Sequence, residues 1–323
     1  MRYLFMLMML VFILPSSAQN IHFSQIDQTK LYYNPAFAGS DQVTNLMVNH
    51  RNYLPASFGN FITYQASYNQ KIETIKGGLG MQIINDRQGG GTFNSILGSL
   101  IYSYHFQASD NIFLYGGLET KLGYVSVRKK DLIFPDMFNP RSWELSQTNT
   151  NENLDTYNGT NLDFSAGILM VYKKYMLRTF REFSVGFSIQ HLNKPASILS
   201  QENSRISRTY NLFFDIDIPL MGKKKLSEAP VLTPALLFRG HGSSLMLQYG
   251  SILSNKGLDM GIFIRHDQRF QFIDLIFQAG VELSNFSIHY SYDSSFLSKM
   301  KKNLISGAHE VTLGIHFQYK GKK

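Results

Sequence analysis

Cysteine is missing from all 323 residues of the chain. This excludes disulfide crosslinks, thiolate catalysis, cysteine-ligated zinc and an N-terminal lipid-modified cysteine. Charged residues are scarce as well, at 17% against roughly 25% in soluble domains. After the N-terminus no apolar run approaches the ~18 residues that a membrane-spanning helix needs. The fold must therefore be held together by packing and hydrogen bonds.

Aromatic residues, by contrast, are plentiful at 14% of the chain. So many Phe and Tyr side chains must bury surface somewhere, which excludes a disordered chain. Mean hydropathy is −0.14, and the length suits either two soluble domains or one large β-barrel.

The N-terminal residues 1–18 have the features of an export signal. Arg2 forms a positive n-region, residues 4–14 form an apolar h-region, and Ser16 and Ala18 supply small side chains before the expected cleavage site at Gln19. An uncleaved anchor is the alternative, although the apolar run is too short to span a bilayer. Cleavage would leave 30 basic against 23 acidic residues, a net charge of +7. Outside the cytoplasm that charge favours lipid phosphates, surface polysaccharide or an acidic partner, and no nucleic acid is expected.

The body of the chain alternates apolar and polar residues with period two, and helical periodicity is almost absent. In the last segment Val311, Leu313 and Ile315 fall on one face, with Thr312 and Gly314 on the other. A soluble sandwich alternates too, but its exposed face usually carries many Lys and Glu. Here the polar face is small and weakly charged, as in the lumen of a barrel. The sequence therefore predicts an all-β fold: a single transmembrane outer-membrane β-barrel of antiparallel strands.

Fourteen segments carry this alternation, an even number as closed bacterial barrels require. They are 43–50, 61–69, 77–85, 94–106, 112–127, 162–172, 182–192, 208–218, 231–238, 243–251, 258–265, 271–283, 286–293 and 309–319. We divide the chain into a signal peptide (1–18), a short pre-barrel N-terminal segment (19–42) and the barrel (43–323).

The connections suggest an orientation in the membrane. With both termini in the periplasm, the longest connection, 128–161, lies outside the cell, and most periplasmic connections are short. The periplasmic loop 219–230 contains Lys223 to Lys225 and is a candidate partner site. The stretch 19–40 either sits in the periplasmic mouth or plugs the lumen, and both placements are hypotheses.

Candidate catalytic and metal-binding residues are few. The nine His are scattered, with no HExxH motif and no pair at metal-ligand spacing. Asp215 and Asp217 share a strand face, and we expect them to be solvated in the lumen rather than to bind metal. His266 and Asp267 on one predicted outer turn, with Asp86 on another, are candidate rim groups of a barrel enzyme, but no nucleophile with a positioned base accompanies them. We therefore predict a protein that is not an enzyme, with no catalytic residues, no cofactor and no metal.

Several short motifs resemble those of one known family. Phe23-Ser24-Gln25 followed by residues 33–40 (YNPAFAGS) resembles the opening FSQ…NPA(Y/F)AGS of the PorP/SprF membrane proteins of the Bacteroidota type IX secretion system. Residues 78–80 and 85–89 resemble the family's G-x-G strand and D-x-x-G turn. Residues 183–195 (FSVGFSIQHLNKP) resemble its G-x-S-x-x-H-L-x-x-P segment, and SYDSS at 291–295 with GAHEV at 307–311 resembles its ending.

The resemblance covers nearly the whole mature chain, although Phe37 replaces the commoner Tyr and the loops 128–161 and 193–207 match no family pattern. It implies an outer-membrane barrel that acts by binding, as an adaptor for the secretion and surface attachment of large adhesins used in gliding motility. These adhesins bear a type IX C-terminal domain. The implied partners are that cargo, outer-membrane lipid, and the type IX machinery including its periplasmic lipoproteins. A passive channel or porin is the alternative, and a rim-active enzyme is a third.

The family motifs fall on positions to which we assign a structural or partner-binding role. They are Asn34, Pro35, Ala36, Gly39, Asp86, Gly89, His191, Pro195, Tyr292, Asp293, His309 and Glu310.

Overall fold

The computed structural model describes residues 21–41, 43–53, 61–128, 137, 158–173, 181–197, 204–220, 229–270, 273–295 and 307–318. The predicted signal peptide, Lys223 to Lys225 and most of the connection 128–161 lie outside the described residues.

Fourteen antiparallel strands form one closed barrel, which confirms the predicted fold class. The strands are β1 (Val43–Tyr53), β2 (Phe61–Ile72), β3 (Gly77–Gln88), β4 (Phe93–Gln107), β5 (Ile112–Val127), β6 (Asn158–Lys173), β7 (Glu182–Gln190), β8 (Thr209–Pro219), β9 (Val231–His241), β10 (Ser244–Asn255), β11 (Leu258–Asp267), β12 (Ile273–Glu282), β13 (Phe286–Ser295) and β14 (Gly307–Gln318). Each pairs with its sequence neighbours, and β1 pairs with β14 to close the wall.

Helical structure is confined to short pieces in the described part of the chain. One α-helix, α1 (Lys30–Tyr33), precedes a 3-10 turn at Pro35–Phe37, and two further 3-10 turns lie at Glu73–Ile75 and Gly89–Gly91. No helix among the described residues is long and apolar enough to cross a membrane.

Each predicted segment overlaps one observed strand, and the differences lie at the ends. β6 begins at Asn158 rather than 162, and β7 ends at Gln190 rather than 192. The second difference has a backbone cause, because His191 takes a positive φ of 60°, which ends an extended strand. The chain then turns back so that Asn193 donates from Nδ2 to the Leu162 carbonyl at 2.7 Å.

The two ends of the barrel differ. We call the end where β1 begins the turn end, because short connections join β4 to β5, β10 to β11 and β12 to β13 there. The opposite end, which carries the long connection between β5 and β6, is the loop end. The predicted orientation places the turn end in the periplasm.

Side chains alternate between lipid and lumen as the sequence pattern predicts. On β14, Leu313, Ile315 and Phe317 are 41–53% exposed on the outer face, while Glu310 and Thr312 are fully buried in the lumen. The same division repeats around the wall, so a continuous apolar belt faces outward. Such a belt is stable only when lipid covers it.

The prediction of a small, weakly charged lumen face is wrong for part of the wall. Phe213 and Leu237 point inward and are buried, and so are the guanidinium groups of Arg51, Arg239 and Arg265. Bulky and charged side chains are stable there because they have partners inside the barrel. The N-terminal segment supplies some of those partners, and carboxylates on other strands supply the rest.

Candidate functional site: the lumen and its plug

Residues 21–41, which we call the plug, lie inside the barrel. Phe23, Ile26 and Tyr33 are fully buried and pack with inward-facing wall residues such as Phe213 and Leu237 in one hydrophobic cluster. Of the two placements considered for the N-terminal segment, the structure thus has this part of it in the lumen.

The plug runs from the loop end to the turn end. Near the loop end, Arg239 donates from Nη1 to the Ile21 carbonyl at 3.1 Å. Near the turn end, the Gly39 amide donates to Asn69 on β2. The chain then enters β1 at Val43, so the plug is tethered to the wall at the turn end.

The Asn-Pro-Ala-Phe motif builds the bend in the middle of the plug. Asn34 ends α1 by donating its amide to the Lys30 carbonyl, and its side-chain oxygen accepts from the Ala36 amide at 2.9 Å. Pro35 takes the first position of the following 3-10 turn, where its fixed φ is favourable and no amide donor is needed. Asn34 also donates from Nδ2 to the Ile168 carbonyl of β6 at 3.0 Å, which fixes the bend to the wall.

Glycines on the wall make room for this bend, and two of them face the backbone of the plug. A Cβ on Gly117 of β5 would collide with the backbone of Pro35 and Ala36. A Cβ on Gly78 of β3 would collide with the carbonyl of Ala38. These positions require glycine because two backbones meet there without space for a side chain.

A buried charge cluster, which we call the latch, lies near the loop end of the lumen. It consists of Arg51, Arg265, Asp274, Asp293 and Glu310. Arg51 contacts Asp293 at 2.8 Å and Glu310 at 2.9 Å, while Arg265 contacts Asp274 at 2.7 Å and Asp293 at 2.6 Å. The five groups come from β1, β11, β12, β13 and β14, so the latch spans the junction between the first and last strands.

The plug completes the latch with hydrogen bonds. The Ser24 amide donates to Glu310 Oε2 at 2.7 Å and the Ser24 hydroxyl donates to Asp293 Oδ2 at 2.7 Å. The Gln25 amide donates to Glu310 Oε1 at 3.3 Å, and Arg51 donates to the Ser24 hydroxyl oxygen. Buried carboxylates are stable only when paired and hydrogen-bonded. Here the wall arginines supply the pairing, and the plug supplies part of the hydrogen bonding.

Cation–aromatic contacts hold the centre of the plug. Lys30 reaches Asp215 on β8 at 2.7 Å, with its ammonium 5.2 Å from the ring centre of Phe213. Arg239 lies 5.1 Å from the ring centre of Tyr32 and 5.5 Å from that of Tyr33. Such contacts gain strength where water is excluded.

The pKa values of Lys30 and His22 in the plug are shifted in opposite directions. Burial alone would lower the pKa of Lys30, but the adjacent carboxylate of Asp215 reverses the direction and the pKa is raised. Burial, with the positive charges of Arg239, Arg265 and Arg51 nearby, holds the pKa of His22 well below its usual range. Lys30 is therefore charged and His22 neutral when the plug is seated.

Six of the twelve predicted motif residues belong to the plug or to the latch. Asn34, Pro35, Ala36 and Gly39 form the plug bend and its exit, while Asp293 and Glu310 belong to the latch. Sequence reasoning missed three members of the latch: Arg51, Arg265 and Asp274. The missed signal was the charge itself, because a charged residue at an inward-facing strand position is costly unless a partner is present.

The other six motif residues belong neither to the plug nor to the latch. Asp86 accepts hydrogen bonds from Thr63 and Gln88 near the loop end, and Gly89 begins the next turn with a φ of 59°.

His191 contacts Asp163 at 2.7 Å. Pro195 is buried, and its carbonyl accepts from the Ile206 amide. Tyr292 and His309 are ring neighbours on the outer face, 5.1 Å between centres.

The candidate rim and metal residues have structural partners. His266 stacks on Phe270 with ring centres 4.3 Å apart, and its Nδ1 lies 2.8 Å from the Asp267 carbonyl. Asp215 pairs with Lys30, so the expectation that it is simply solvated is wrong, and Asp217 accepts from Thr233 at 2.7 Å. Within the described ranges, no group of three or more His, Asp or Glu is placed to hold a metal ion.

A closed barrel of fourteen strands with an apolar outer belt defines an outer-membrane β-barrel protein, here with a segment of its own chain in the lumen. The family model of the type IX secretion system membrane protein PorP/SprF matches residues 16–315. The chain belongs to this family, and it is an outer-membrane protein associated with the type IX secretion machinery. Among curated proteins, none matches this chain in sequence.

Solved structures of similar shape are outer-membrane barrels with very different sequences. The Pseudomonas putida toluene transporter TodX shares 7% identity at a TM-score of 0.48, with 93% of this chain and 94% of TodX covered. The KdgM porin shares 9% identity at a TM-score of 0.39, with 84% and 99% covered. CdiB from Acinetobacter baumannii shares 7% identity at a TM-score of 0.45; 86% of this chain is covered, and it spans 60% of the length of CdiB.

Proposed function

We propose that this protein is a non-enzymatic adaptor of type IX secretion. It holds a large secreted adhesin, bearing a type IX C-terminal domain, at the cell surface in support of gliding. At its periplasmic end it contacts the lipoproteins of the secretion machinery. The observation that carries the proposal is the plug, because a barrel that fills its own lumen is suited to binding rather than to passive transport.

The plug contacts every strand of the wall. Twelve strands supply a hydrogen-bonding residue to it: Arg51, Asn69, Ser103, Ile168, Ser188, Asn211, Arg239, Gln248, Arg265, Gln278, Asp293 and Glu310. The remaining two, β3 and β5, approach it through Gly78 and Gly117. A solute that enters this part of the lumen would therefore meet the plug.

The proposal is tested by comparing surface proteins from wild-type and deletion cells of the source organism, quantified beside protein trapped in the periplasm. Loss of one giant adhesin from the surface, with other type IX cargo intact, is the result expected of a dedicated adaptor. Loss of all such cargo would make the protein a core part of the translocon. An unchanged surface would overturn the adaptor proposal.

Single-channel conductance separates the adaptor from a passive channel. The full-length protein should conduct little in a planar bilayer. A variant lacking residues 19–40 serves as the comparison, because its lumen has lost the plug. A full-length conductance as high as that of this variant would favour the channel.

A further inference from the structure

A cavity of about 490 Å³ opens at the turn end, between the plug and the wall made by β1, β2 and β12 to β14. Its floor includes the apolar side chains of Leu31, Phe37 and Met47. The acidic residues Asp27, Asp41 and Glu282 also line it. The volume lies in the range of ordinary ligand-binding pockets.

None of the acidic groups of this cavity forms a salt bridge in the described part of the chain, although the charges of Asp27 and Asp41 help to raise the pKa of Lys30. Asp27 accepts hydrogen bonds from the amides of Gln28 and Gln278, and Asp41 accepts one from Asn45 at 3.2 Å. Lys30 also lines the cavity, but its ammonium is bound to Asp215 at 2.7 Å. The cavity is therefore negatively charged above an apolar floor.

The spacing of these acids argues against a metal ion. A divalent cation needs several oxygen ligands within about 2.0–2.6 Å of one point. Asp27, Asp41 and Glu282 are not among any group of three that could converge on an ion in the described residues. Carboxylates that are spaced apart around an apolar floor are instead complementary to a polypeptide segment that carries both spaced cationic side chains and apolar side chains.

We propose that this cavity is a docking site for a segment of a partner protein in which Lys or Arg residues alternate with apolar residues. The apolar side chains of the segment pack on Leu31, Phe37 and Met47, while its cations face the rim carboxylates. This docking proposal depends on the proposed function in one respect only, the compartment that the cavity faces, because the proposed function places the turn end in the periplasm.

Binding can be measured with the full-length barrel in nanodiscs of zwitterionic lipid. The chain has no cysteine, so Ser284→Cys on the exposed β12–β13 turn carries a single fluorescent label beside the cavity. The probe is the acetylated, amidated tetrapeptide Lys-Leu-Lys-Leu, and Glu-Leu-Glu-Leu is its matched control. Saturable binding of the first peptide only is the expected result.

Charge variants locate the binding. Asp41→Asn combined with Glu282→Gln should weaken the basic peptide about five- to thirtyfold, since two partly exposed ion pairs are lost. Asp110→Asn, on the exposed β4–β5 turn at the same end, should change the affinity by less than about twofold. Equal effects of the two changes, or no saturable binding, would overturn the proposal.

Two further experiments identify what occupies the cavity and on which side of the membrane the turn end lies. If the peptide binds only after Lys320, Lys322 and Lys323 are changed to Gln, the cavity belongs to the chain's own basic tail and the proposal fails. Labelling of Ser284→Cys by a membrane-impermeant maleimide in intact cells would place the turn end outside. That result would overturn the periplasmic orientation of the proposed function while leaving the peptide binding measured in nanodiscs intact.

Discussion

The latch makes a quantitative prediction for Arg51. Its guanidinium is buried and contacts Asp293 at 2.8 Å and Glu310 at 2.9 Å. Asp293 would keep Arg265 after Arg51→Gln, but Glu310 would have no cationic partner among the described residues. Removing one partner of a buried pair leaves an uncompensated charge and costs about 3–5 kcal/mol. We expect a loss of that size in the free energy of unfolding.

The measurement is urea unfolding of the barrel in lipid vesicles, followed by circular dichroism. Arg87→Gln is the matched control, because Arg87 is an exposed arginine near the loop end of β3 and should change stability by no more than about 0.5 kcal/mol. A loss below about 1 kcal/mol for Arg51→Gln, or one equal to that of the control, would refute the energetic role of the latch.

A double variant tests whether the cost of Arg51→Gln comes from the uncompensated charge of Glu310. Adding Glu310→Gln to Arg51→Gln removes the uncompensated carboxylate, so the two changes together should cost less than the sum of the single changes. Strictly additive costs would mean that the two side chains act independently.

Three further predictions concern the plug. Gly117→Val should displace the plug bend and raise single-channel conductance, whereas Gly116→Val, whose Cβ would meet nothing within 4 Å, should not; equal conductances would contradict the steric argument. Asn34→Ala should lower the free energy of unfolding by about 1–3 kcal/mol, because a cap and a wall hydrogen bond are lost, and a change below about 0.5 kcal/mol in urea unfolding would contradict it. The seated His22 has a lowered pKa, so seating should be fully stable above the ordinary histidine pKa of about 6.5 and should weaken as pH falls below it. The melting temperature should therefore decrease as the pH is lowered from about 6.5 to about 5, and His22→Gln should make this decrease smaller. If the decrease is the same in the variant, other titrating groups cause it.

The wall could be predicted from the sequence because successive side chains of a strand face lipid and lumen in turn, which makes apolar and polar residues alternate. The alternation of apolar Leu313 and Ile315 with polar Thr312 is enough to identify a lipid face and a lumen face. Strand ends were less predictable where a single residue decides them, as with the positive φ of His191.

The lumen could not be predicted in the same way, because its contacts join residues far apart in sequence. The alternation on β8 places Phe213 on the face of Asp215, but the partner of this bulky ring could not be predicted, since Phe37 lies in the plug, with ring centres 5.3 Å apart. Arg51 and Arg265 look like ordinary strand charges until the carboxylates of β13 and β14 are placed opposite them. Pairings of this kind depend on barrel closure, which no local pattern encodes.

The plug and the latch are best understood as one site. Glu310 accepts hydrogen bonds from the backbone amides of Ser24 and Gln25 and from the side chains of Arg51 and Asn49. Without the plug, water would have to supply the two amide donors, because a buried carboxylate left unsatisfied is costly. The FSQ motif near the start of the chain and the HE motif near its end therefore complete each other. Since Glu310 belongs to the last strand, the contact can form only when the whole wall is in place, and the seated plug is a property of the closed barrel.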